Sequence, residues 1–223
     1  MCGITGYIGK DPALAFVMQG LQKLEYRGYD SAGITLVDKN GLSTYKAKGR
    51  LTDLEKILEG KKCPQRCGIG HTRWATHGVP SQLNSHPHTN ELGTISLVHN
   101  GIIENYASLK KELLDKGYHF QSETDTEIIV NLIDDYFYHD GLDLFNALQK
   151  TLKVLEGSFA LCIVSTIDQD TIYVAKKDSP MVLGKNDDAC FCASDAPALL
   201  AYTKTILPLE DGQMAILKRD NLE

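Results

Sequence analysis

No block of lysine or arginine interrupts this sequence, and the formal net charge of its 223 residues is −6. Nucleic acid and anionic membrane surfaces are recognised by concentrated positive charge, so neither is an expected partner. No apolar run approaches the roughly 20 residues that a membrane-spanning helix needs. The start is too polar and glycine-rich for a secretory signal, so a cytoplasmic protein is the default expectation. Internal repeats, low-complexity tracts and linker-like stretches are also missing. The six cysteines read as reduced thiols rather than a disulfide framework, because a chain of this size can build a core without staples. The remaining composition, 43% hydrophobic and 23% charged, is ordinary for a globular protein.

The elements alternate in kind. Residues 1–8 read as a strand. Asp11 can cap a helix with Pro12 in its first position, and Leu14, Val17, Met18, Leu21 and Leu24 then recur at helical spacing until Gly28. Asn40-Gly41 between two apolar runs is a hairpin signal. Thr52 with Glu55, and Thr124 with Glu127, have the spacing of capping boxes, the second opening a helix to about Tyr138. Strands are expected at 69–72 and 95–99, helices ending near Gly117 and Gly157, and a run of strands from Ser158 to Leu217. Central helices with hairpins at both ends predict α+β layers rather than a parallel βαβ array.

Cys2 carries the most chemical information. Removing Met1 would place a thiol and a free α-amine on one residue, a nucleophile and a base that both titrate near neutral pH. Three polar clusters accompany it. Residues 73–94 form a long loop containing the only tryptophan, Trp74, and three of the seven histidines; long loops tend to be functional. His99-Asn100-Gly101 closes a strand, and residues 122–127 open a helix. Taken singly, Asn100-Gly101 reads as a hairpin turn, Asp125 as a residue that favours a helix N-terminus, and Arg73 as half of a surface ion pair. Cys63 and Cys67, followed by His71, His77, His86 and His88, also permit a zinc site, although no second compact pair at finger spacing is present.

Five stretches in order change the weighting: Met1-Cys2-Gly3-Ile4, residues 24–33 (LEYRGYDSAG), residues 71–78 (HTRWATHG), residues 98–105 (VHNGIIEN) and residues 122–127 (SETDTE). Together they resemble the class II glutamine amidotransferases, a branch of the N-terminal-nucleophile hydrolases. Among those, they resemble the glutaminase half of the glutamine–fructose-6-phosphate amidotransferases, over residues 2–223. Tyr29 and Trp74 depart from the pattern of the amidophosphoribosyltransferases. The resemblance implies a four-layer αββα sandwich that hydrolyses the side-chain amide of L-glutamine with no cofactor and no metal. Cys2 would form a γ-glutamyl thioester, with its own α-amine moving the proton. Asn100 and Gly101 would supply the oxyanion hole. Arg73 would hold the substrate carboxylate and Asp125 the ammonium. Thr76 and His77 would add contacts, Trp74 would belong to a closing loop, and Arg27 would sit near the thiol. The resemblance also implies a sugar-isomerase half as the partner that receives ammonia. Nothing after Leu217 resembles that half and no glycine-rich phosphate cradle is present, so the expectation is an excised glutaminase domain. Another class II amidotransferase, or a non-catalytic glutamine- or zinc-binding module, is the alternative.

Overall fold

Strand β1 (Gly3–Gly9) runs through the middle of a seven-stranded sheet and brings the start of the chain to the sheet's end. The structure, a computed structural model, describes residues 2–74 and 78–223. Helix α1 (Ala13–Leu24) follows, then the hairpin of β2 (Ser31–Asp38) and β3 (Gly41–Lys48), α2 (Leu51–Leu58) and β4 (Cys67–Arg73). The second sheet starts with β5 (His88–Thr89) and β6 (Ile95–Ile103). Three helices come next: α3 (Tyr106–Asp115), α4 (Thr126–Tyr138) and α5 (Leu144–Val154). The remainder is β7 (Gly157–Ser165), β8 (Ile172–Lys177), β9 (Val182–Lys185), β10 (Ala189–Ala193), β11 (Ile206–Pro208) and β12 (Met214–Leu217).

The seven-stranded sheet has the order β11-β9-β10-β1-β4-β2-β3, and the five-stranded sheet β12-β8-β7-β6-β5. Paired strands are antiparallel throughout both. Three apolar cores separate four layers. One lies between α1, α2 and the first sheet, around Phe16, Leu21 and Leu54. The second lies between the sheets, around Ile4, Val98 and Val174. The third lies between the second sheet and α3–α5, around Leu97, Ile129 and Leu148. This is the expected αββα sandwich. Sheets covered on both faces explain why β1, β4 and β7 are nearly continuous apolar or small-residue runs rather than alternating ones. Among the described residues, no helix is long and apolar enough to cross a membrane.

Three helix starts differ from the sequence expectation. Pro12 occupies the N-cap of α1, one position earlier than expected, and Asp11 instead gives its backbone N–H to the Tyr7 hydroxyl. Helix α2 begins at Leu51, so Thr52 and Glu55 fall inside it; the Asp53 carboxylate accepts the Arg50 N–H at 3.1 Å. At α4, the Thr124 hydroxyl is committed to the Ser122 hydroxyl and to His88 Nε2. Glu127 turns back to accept the N–H groups of Gln121 and Ser122. No capping box forms there, and the helix begins at Thr126. At α4 a distant histidine took the hydroxyl that the helix end would have used, whereas α1 and α2 begin at neighbouring residues.

The 73–94 loop is broken by β5, and His86 and His88 are both buried. Cys67 belongs to the core between the sheets, whereas Cys63 packs against the core on the helical side. The first sheet therefore separates the pair that suggested zinc. Cys190 and Cys192 share one side of β10 in the core between the sheets, as their spacing implies.

Candidate active site

Register on β1 decides where the thiol goes. Gly3 pairs with Thr72 across to β4, so Cys2 lies level with Arg73 at the end of that strand. The Cys2 Sγ accepts the Trp74 N–H at 3.2 Å and faces the Trp74 carbonyl at 3.6 Å. From the other sheet, Asn100 Nδ2 donates to the Cys2 carbonyl at 3.0 Å. Gly28 abuts the same turn: a Cβ there would come within 2.7 Å of the Arg73 carbonyl carbon and 2.9 Å of the Trp74 nitrogen. Only glycine lets the 24–33 segment lie that close to the thiol's hydrogen-bond donor.

Asn100-Gly101 is not a turn. Both residues lie inside β6, opposite Ala160 and Phe159 of β7. Gly101 has φ +133°, and an added Cβ would lie 2.0 Å from the Ser158 carbonyl oxygen. A side chain is excluded there by conformation and by space together. Two residues on, the Ile103 N–H donates to Asp125 Oδ2 at 2.8 Å, which fixes the Asp125 carboxylate just before α4.

These residues share one cavity of about 420 Å³. Its walls include Cys2, Arg27, Arg73, Trp74, Asn100, Gly101 and Asp125, so seven of the nine residues singled out from sequence converge. The other two, Thr76 and His77, lie outside the described residues. Arg27 is buried and pairs with Asp195 at 2.9 Å. Arg73 donates to the Gly78 carbonyl at 3.1 Å. The Trp74 ring is half exposed and sits edge-on to Tyr29 at 5.3 Å. A larger cavity of about 550 Å³ lies at the far end of β1, between Gly9, Lys39, Arg66 and Arg219, and contains none of these residues.

The walls also contain Ser158, Thr126, Ser179 and Pro180, which sequence reasoning missed. Ser179-Pro180 has the composition of a turn following a strand, and Asp178 before it adopts φ +59°. That signal marks a bend but not its destination.

Burial pushes the Cys2 thiol above its ordinary value, opposed first by the Trp74 N–H and then by Arg73 and Arg27. It is therefore a protonated thiol at neutral pH and needs a base. Burial also lowers the Arg73 guanidinium, opposed by Cys2, Asp30 and Asp125; a guanidinium stays charged nonetheless. A cavity with arginines beside a thiol and a carboxylate on the facing wall suits a zwitterionic amino acid with an electrophilic side chain.

Four histidines line or back this site: His71, His86, His88 and His99, all at most 5% exposed. Burial pulls His71 down to about 3 and holds His86 and His88 well below, and His99 below, the usual imidazole range. Their folded values lie below the unfolded value of about 6.5. Between those values the unfolded chain binds protons that the folded chain refuses, so stability is full above about pH 6.5 and falls as the pH drops beneath it. Each histidine contributes up to ~1.4 kcal/mol per pH unit in that window. The melting temperature should therefore decline steeply from pH 7 to 5. A flat profile over that range would mean that the imidazoles protonate without unfolding the protein.

The sequence profile of a family described as "Glutamine amidotransferase domain" matches residues 71–201. The glutamine–fructose-6-phosphate aminotransferase (isomerizing) of Clostridium acetobutylicum is 50% identical over 223 residues, covering all of this chain and 36% of that protein. The Aquifex aeolicus enzyme of the same name is 48% identical over 222 residues and is covered to 37%. The chain thus spans little more than a third of the length of these relatives. Among solved structures, the glutamine phosphoribosylpyrophosphate amidotransferase of B. subtilis with ADP and GMP superimposes with a TM-score of 0.86 at 29% identity. The match covers all of this chain and 48% of that one. A structure described as the allosteric regulatory enzyme of purine biosynthesis gives 0.88, also at 29% and with the same coverage.

Proposed function

We propose that this chain, which belongs to the glutamine amidotransferase domain family, hydrolyses the side-chain amide of L-glutamine through a thioester on Cys2. The observation that carries this reading is the convergence on one cavity of Cys2, Arg73, Asn100, Gly101 and Asp125 from four separate segments. Cys2 Sγ attacks the amide carbonyl, and the Cys2 α-amine takes the thiol proton and passes it to the departing ammonia. The Asn100 side chain and the Gly101 N–H stabilise the oxyanion. Arg73 holds the α-carboxylate and Asp125 the α-ammonium, while water attack on the thioester releases glutamate. In a longer protein like the named relatives, a sugar-isomerase half would receive the ammonia for glucosamine 6-phosphate synthesis from fructose 6-phosphate. Residues 2–223 would be the glutaminase domain of that protein.

The test is glutamate release from glutamine by the purified chain, with its N-terminus checked by mass. No release from a folded, Met1-free sample would reject the reading in favour of a binding module.

The clamp and the oxyanion donors should separate kinetically. Arg73→Ala and Asp125→Asn should raise KM for glutamine, each removing a buried charge contact worth ~2–5 kcal/mol on truncation. Asn100→Ala should lower kcat by ~10²–10³ with a smaller effect on KM. If Asn100→Ala moves only KM, Asn100 does not serve the oxyanion.

A further inference from the structure

Asn100 is held from two sides, and each side traces back to a backbone carbonyl. Its Nδ2 lies 3.0 Å from the Cys2 carbonyl. Its Oδ1 lies 3.0 Å from His71 Nε2, which is also 3.1 Å from the His99 carbonyl. Backbone carbonyls only accept hydrogen bonds. The His99 carbonyl therefore requires a proton on His71 Nε2, and the Cys2 carbonyl requires the Asn100 nitrogen on its own side. The two requirements agree: His71 donates to Asn100 Oδ1, and Asn100 donates to Cys2. One N–H of the Asn100 amide remains for the cavity that Asn100 lines.

His71 is suited to that task alone. It lies on β4 two residues before Arg73 and so shares its face of the sheet. The ring is 1% exposed and stacks on His86 at 4.1 Å and 12°. Its other nitrogen, Nδ1, has no hydrogen-bond partner among the described residues. A general base would need a proton to take from the substrate or the thiol. His71 Nε2 instead ends on a carbonyl and an amide oxygen.

We infer that His71 is a positioning residue whose Nε2–H, shared between the His99 carbonyl and Asn100 Oδ1, keeps the amide nitrogen of Asn100 turned toward the reacting carbonyl. The inference rests on the reading of Asn100 as an oxyanion donor. An amide turned the other way would present an oxygen to the developing negative charge. A loosely held one would meet that charge at the wrong distance, and small misplacements at a reacting centre are costly.

The side chains of asparagine and glutamine separate the two ring nitrogens, because glutamine places an N–H near the Nε2 position and asparagine near Nδ1. His71→Asn should lower kcat for glutamine roughly 10- to 100-fold, as loss of an orienting hydrogen bond does, with KM little changed. His71→Gln should recover most of that loss. Alkylation of Cys2 by iodoacetamide, a displacement at saturated carbon that forms no oxyanion, should proceed at the wild-type rate in both variants. Equal impairment of the two variants, wild-type kcat in His71→Asn, or parallel loss of turnover and alkylation would each overturn the inference. If His71→Asn does not fold, nitrogen-15 spectra of wild-type protein labelled in histidine decide the matter, since an Nδ1–H tautomer for His71 contradicts it. Asn100→Ala separates the two levels. If it keeps kcat, the oxyanion reading and this inference fall together. If it loses kcat while His71→Asn does not, only this inference falls.

Discussion

Cys2→Ala should abolish glutamine hydrolysis while leaving the fold and melting temperature of the protein unchanged. Cys2 lies outside all three apolar cores, so removing its sulfur opens no cavity among packed side chains. Among the described residues it is the one thiol on the cavity wall. Cys67, Cys162, Cys190 and Cys192 are buried in the core between the sheets, and Cys63 packs under the helical layer. Without a nucleophile the oxyanion donors have no tetrahedral adduct to stabilise, and the covalent route closes rather than slows. A glutamine analogue with an electrophilic γ-group should add its mass to the peptide carrying Cys2 and to no other. Wild-type glutamate release from Cys2→Ala would reject the mechanism. Labelling at Cys63 or Cys190 would show that a different thiol is reactive.

The same site shows where sequence reasoning reaches and where it stops. Asn40-Gly41 and Asn100-Gly101 are the same dipeptide. The first connects β2 to β3 as a hairpin, while the second sits inside β6, where Gly101 passes against the Ser158 carbonyl. Local chemistry cannot separate them; the order of the surrounding motifs did. Strands β1, β2 and β4 were legible as short apolar or small-residue runs, β3 through the Asn40-Gly41 hairpin signal, and helix α1 through its helical spacing. The box expected at Thr52 is displaced to Arg50 and Asp53, where the helix starts, while the one expected at Thr124 fails because the rule considers only residues within one turn. The Thr124 hydroxyl instead found His88, 36 positions away. His71, His86 and His99 meet through the register of two sheets and a loop, and no spacing in the sequence encodes that meeting. Ser179 reaches the cavity from the turn after β8 for the same reason. The two-residue β5 and the three-residue β11 are too short to leave a pattern.

The chain that keeps Met1 should be close to inactive, and removing that one residue should activate it. With Met1 attached, the Cys2 nitrogen is an amide with no basic lone pair. With Met1 gone, it is an α-amine titrating near ~7.7–8.0, partly free to accept a proton at neutral pH. The need for that base follows from the surroundings of the thiol. Burial raises Cys2, so few molecules carry a thiolate at pH 7. Its hydrogen-bond neighbour is the Trp74 backbone, which offers an N–H and a carbonyl but no group that can take the thiol proton away at neutral pH. His71 and His86 do not substitute: His71 Nε2 is occupied by two oxygens, and His86 Nδ1 accepts the His99 N–H. Loss of a general base costs typically 10²–10⁴ in rate, so the Met1-bearing form should fall by about that factor. Both forms can be prepared from one sequence by withholding or supplying a methionine aminopeptidase, with intact mass reporting which is present. Glutamate release and the pH dependence of turnover should be measured on each. The processed form should gain activity as the pH rises through the amine's range, and the unprocessed form should not show that limb. Equal turnover in the two forms would rule out the α-amine as the base and require another proton acceptor beside Cys2.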